Sequence, residues 1–122
     1  MHLVTTIKYD QMRLIFKALY DAGCYLHPET TRGQWNNVCY GGGGSREPNK
    51  IVWIGKGCEL RYMIQRYFNN TPKVWERTAQ LFMLQGDYDE FPHAINPKTI
   101  KNYRISDVAA KRIDDIFAAN RG

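Results

Sequence analysis

Met12, Ile15, Phe16 and Leu19 recur at the spacing of one helical stripe, predicting a first helix over about residues 10–22 with Gly23 as its left-handed cap. Tyr25-Leu26-His27-Pro28 reads as extended, because the residue before proline avoids the helical region. Thr30 or Thr31 then starts a weaker second helix ending near Tyr40, with Trp35, Val38 and Cys39 facing inward. Ile51-Val52-Trp53-Ile54 is a short apolar run rich in β-branched residues, hence a buried strand. A lone strand needs a partner, and Met1–Ile7 and Tyr25–His27 are the two candidates. Leu60, Met63, Ile64, Tyr67 and Phe68 mark a third helix over about 58–69. Thr71-Pro72 offers a cap and first-turn proline for a fourth, whose inward positions are Trp75, Ala79, Phe82 and Met83. Ser106-Asp107 opens the last helix, with Ala109, Ile113, Ile116 and Phe117 inward and Asp107–Lys111 and Lys111–Asp115 as i,i+4 pairs.

Between the fourth and last helices, Asn96-Pro97 begins a short basic helix running to Arg104. Lys98, Lys101 and Asn102 share one face there, while Ile100 and Tyr103 turn toward a core. The expected architecture is mainly α with a minor β component: a single domain over 1–122 of five to six helices and one or two short strands. Its second half reads as helix-turn-helix or winged-helix-like, and Gly41–Asn49 is an internal glycine-rich loop and not a domain boundary.

The chain has 122 residues, enough to bury roughly two-thirds of its unfolded surface without disulfides. A net charge of +5 favours polyanions in general, and its distribution is more informative. Lys98, Lys101, Arg104, Lys111 and Arg112 face only Asp107 in their stretch, whereas Asp87, Asp89 and Glu90 gather in a loop. Three cysteines without framework spacing and no signal-peptide core point to a reducing cytoplasm, and no apolar run approaches the roughly 20 residues of a membrane span.

Lys98, Lys101 and Arg104 are the candidates for phosphate or guanine contacts and Asn102 for adenine, with Lys73, Arg77, Lys111 and Arg112 supplying flanking phosphate contacts. The connection of about residues 85–95 is longer than a usual helix-turn-helix turn. Gly55-Lys56-Gly57 lacks the spacing of a phosphate loop and reads as a plain strand-to-helix turn. Cys24, His27 and Cys39 provide one close pair where zinc modules show two, so neither metal nor cofactor is expected. No nucleophile, paired-acid or metallohydrolase motif occurs, which disfavours an enzyme. Tyr9, Tyr62, Tyr88 and Tyr103 fall off the main stripes beside Arg61, Arg66 and Arg104. They fit base stacking or the rim of a protein interface.

Lys50-Ile51-Val52-Trp53-Ile54-Gly55 followed by Glu59-Leu60-Arg61-Tyr62-Met63-Ile64 resembles the C-terminal part of the RteC family, regulators carried by conjugative transposons. Tyr25–Thr30, Trp53-Ile54-Gly55, Leu60-Arg61-Tyr62 and Ile95–Thr99 are similar to a broader set of small proteins from gut anaerobes and their mobile elements. The first resemblance implies a winged-helix-like DNA-binding module acting in element excision or transfer. No contact residue of that family matches position by position. The expectation is a DNA-binding accessory or regulatory protein of a mobile element. The alternative is an adaptor or inhibitor that binds protein through the Tyr/Arg-rich face of the 58–69 helix and the 41–49 loop.

Overall fold

The computed structural model describes residues 2–41, 50–86 and 89–120. Residues 42–49 of the expected glycine-rich loop lie outside them, as does Tyr88. The described chain runs α1 (Tyr9–Ala22), α2 (Arg32–Tyr40), β1 (Ile51–Trp53), α3 (Gly57–Tyr67), α4 (Val74–Leu81), β2 (Phe82–Leu84), β3 (His93–Ala94), α5 (Pro97–Ile100) and α6 (Asp107–Ala119). It is mainly helical, with one small three-stranded sheet ordered β1-β2-β3. Among the described residues no helix is long and apolar enough to cross a membrane.

The helix starts follow side-chain chemistry. Thr31 accepts from Gln34 N while the Gln34 side chain takes the Thr31 amide, closing a capping box on α2. Ser106 accepts from Ala109 N to start α6, and Gly23 takes the left-handed conformation (φ 74°) that ends α1. The stripes meet in one core of Met12, Ile15, Leu19, Trp35, Leu60, Met63, Ile64, Ile113 and Phe117, among others.

β1 is paired along both edges. It runs parallel to β2, with Ile51 opposite Phe82 and Trp53 opposite Leu84. Its other edge takes the Tyr25–His27 segment: His27 N donates to Val52 O (3.0 Å) and Ile54 N to Tyr25 O (2.8 Å). Residues 2–7 lie elsewhere, with Leu3 N bonded to Val38 O and Val4 N to Thr71 Oγ1.

Three features depart from the sequence expectation. Phe82-Met83-Leu84 is a strand, not the inward end of the fourth helix. A three-residue apolar run suits either state, and the open edge of β1 decides it by supplying backbone partners. Thr71 does not cap α4; it is buried and holds Val4, while Lys73 precedes α4 in the left-handed region (φ 50°). The basic segment is helical only over Pro97–Ile100, followed by a turn at 101–102. Arg104 therefore lies beyond the helix, because Ser106 must be extended (ψ 154°) to cap α6.

α6 crosses α3, and a shared carboxylate locks them. Tyr62 and Tyr67 each donate a hydroxyl to Asp114 at 2.5 Å, the Tyr67 ring stacks on Phe117 at 3.8 Å, and Arg66 stands 3.7 Å from the same carboxylate. Burial, then the bond to Asp114, raises the Tyr67 hydroxyl pKa well above its ordinary value; for Tyr62 the bond is the larger cause. Burial also pushes Tyr25 up to about 12.

These shifts favour the neutral phenol in the folded state. The stability they contribute is complete below an unfolded tyrosine pKa of about 10 and is lost as pH rises toward the folded values. Tyr67→Phe is expected to cost about 1 kcal/mol near neutral pH and to make the alkaline loss of stability shallower. Urea unfolding at pH 7 and across pH 9–11 measures both.

Candidate nucleic-acid interface

α5 is a single turn, held by what it buries. Asn96 caps it by accepting from Lys98 N (2.9 Å), and Pro97 occupies its first position. Ile100 is 1% exposed. Tyr103 is half-buried, with its ring over the start of α3. Gly57 makes that approach possible, since a Cβ there would come within 2.6 Å of Tyr103 Cε2. With α4 and α3 packed behind it, the segment is braced from inside while its polar side chains face water.

Lys98, Lys101 and Arg104 are all exposed, and none has a carboxylate partner among the described residues. Asp89 is engaged within its own loop: it accepts from Gly86 N at 3.0 Å and faces His93 at 3.3 Å. Asn102 is exposed, but its amide nitrogen donates to Lys98 O (3.2 Å), closing the turn. Its oxygen and its second N–H are left for a ligand, the two groups that the adenine contact expected from the sequence uses.

The flanking candidates divide. Lys73 is exposed at the start of α4. Arg77 is half-buried and donates from Nη1 to His2 O (3.0 Å), tying the amino-terminal segment to α4. Lys111 takes Asp115 (2.9 Å) of its two possible i,i+4 partners, and that carboxylate raises the pKa of its ammonium. Arg112 is exposed on α6, close enough for its charge to act on the Tyr25 hydroxyl. The structure thus gathers Lys98, Lys101 and Arg104 into one short segment backed by α4, with Lys73 at the position before that helix. Arg77 and Lys111 already have internal partners.

The tyrosines singled out in the sequence are largely occupied. Tyr62 holds Asp114, Tyr103 packs inward, and Tyr9 receives the Asn36 amide (3.2 Å) beside the Tyr40 ring. Arg61 is half-buried, and its Nε is shut off from solvent without a partner. Among the zinc candidates, Cys39 is buried, which drives its thiol pKa well up, whereas Cys24 is exposed. Among the described residues no group of three or more His, Cys, Asp or Glu is placed to hold a metal.

A second surface feature lies outside these candidates. An open cavity of about 380 Å³ is lined by Arg13, Leu14, Phe16, Lys17, Tyr20 and Arg32. Its sequence signal is Leu14, an apolar residue on the polar side of the α1 stripe.

Arg77→Ala is expected to lower stability by about 1 kcal/mol through the lost tether to His2. Lys98→Ala is expected to stay within about 0.5 kcal/mol. Thermal or urea denaturation of the two variants separates the structural cation from the free one. The chain matches no protein-family model, no curated protein and no solved structure.

Proposed function

We propose that this protein is a cytoplasmic, non-catalytic DNA-binding accessory or regulatory factor of a mobile genetic element, with residues 97–104 as its contact segment. The observation that carries the reading is the set of three unpaired, exposed cations on a segment anchored by Ile100 and Tyr103. A polyanion gains most from cations that need not be released from carboxylates first, and a braced segment loses little conformational freedom on binding. In this reading α4 supports α5 as the first helix of a helix-turn-helix supports its reading helix, with β2 and β3 in place of the short turn. Lys98, Lys101 and Arg104 contact phosphates or guanine edges. Lys73 and Arg112 flank them, and Asn102 offers its oxygen. The assignment to a mobile element rests on the resemblance of residues 50–64 to the RteC family.

Neutralising about four or five phosphates gives a slope of about −4 for log affinity against log salt. Anisotropy titration of a labelled duplex from low to moderate salt is expected to show that slope, and Lys98→Glu with Lys101→Glu to abolish binding while leaving the melting temperature essentially unchanged. Absent binding at low salt, or an affinity indifferent to salt, overturns the reading.

A further inference from the structure

We propose that the groove between α1 and the start of α2 docks an acidic segment of a partner protein that inserts an apolar side chain between flanking carboxylates. This rests on residues the DNA reading does not use. Two of the five large apolar side chains left exposed among the described residues, Leu14 (46%) and Tyr20 (38%), line this one groove. Apolar surface gathered in one place marks an interaction site more often than scattered exposure does.

The groove is built before any partner arrives. The Tyr20 hydroxyl donates to Pro28 O at 2.6 Å, and its ring lies 6.0 Å from Phe16, which packs on Trp35 at 5.9 Å. The aromatic wall is therefore held in place, and docking need not order it. Leu14 and the fixed aromatic wall offer apolar contact, so the groove suits an apolar side chain seated beside its cations. At about 380 Å³ and open to water, it lies at the small end of ligand pockets and fits a side chain on an extending backbone.

Charge then selects the occupant. Lys17 is taken by Asp21 (2.6 Å), but Arg13 and Arg32 have no carboxylate partner among the described residues, and no acidic residue lines the groove. Two free guanidinium groups beside an apolar floor complement carboxylates on either side of an apolar residue.

The test uses the full-length, isotope-labelled protein and the blocked hexapeptide Glu-Glu-Leu-Leu-Glu-Glu, followed by NMR amide shifts. Saturable shifts at residues 13–20 and 32 are expected, with a dissociation constant of about 1 mM or tighter. Arg13→Gln with Arg32→Gln is expected to weaken binding about fivefold and Leu14→Ser about threefold; the Gln-Gln-Leu-Leu-Gln-Gln peptide should bind at least about fivefold more weakly. The proposal is overturned if the acidic peptide leaves these amides unmoved at about 10 mM, if the variants bind it as the parent does, or if both peptides bind alike. It is equally overturned if duplex DNA moves the same amides and competes with the peptide, which would assign the groove to nucleic acid.

Discussion

The parallel pairing of Ile51–Trp53 with Phe82–Leu84 is the constraint on which the rest of the molecule depends. Parallel neighbours cannot be joined by a tight hairpin, so the chain must leave β1, cross over and return. α3 and α4 are that crossover. With the Tyr25–His27 segment on its other edge, β1 has partners on both sides, and Trp53 is fully buried with its indole N–H donated to Lys56 O (3.0 Å). β2 then meets β3 in antiparallel register, which delivers the chain to Asn96 and sets α5 against the crossover helices. The basic turn is short, and its position follows from the sheet.

The second organising contact is the carboxylate of Asp114, which draws two tyrosine hydroxyls from α3 onto α6. It consumes much of the Tyr/Arg-rich face of α3 that the adaptor alternative relies on. Together with the Arg77–His2 and Lys111–Asp115 contacts, it divides the cations into those that hold the fold and those that face water unpaired. Among the unpaired ones two groups stand together, Lys98, Lys101 and Arg104 on the basic turn and Arg13 and Arg32 at the α1–α2 groove. Their surroundings differ: a polar turn over a braced core in one case, an apolar floor with fixed aromatic walls in the other.

The helical stripes and caps were legible because each is a local pattern. Met12 to Leu19, Leu60 to Ile64, and Ser106 with Ala109 needed no distant information. Phe82-Met83-Leu84 was not legible, because a short apolar run takes its state from the edge it finds, 31 residues back in the chain. Thr71 misled for a related reason: its hydroxyl meets the Val4 backbone, sixty-seven residues away, before it can cap a neighbouring helix. Lys98 and Lys101 were read correctly as exposed, since Ile100 between them must point inward. The engagement of Arg77 with a backbone carbonyl leaves no mark in the sequence. Leu14 did leave one, as an apolar residue out of phase with its helix.

The measurement that bears most directly on the sheet-positioned basic turn is amide chemical-shift mapping of the labelled full-length protein with a short DNA duplex at low salt. Shifts are expected to concentrate at residues 98–104 and at Lys73, with the β1–β2 amides unmoved because the scaffold does not rearrange. Shifts confined to α1 and α2, or none anywhere, would contradict this expectation.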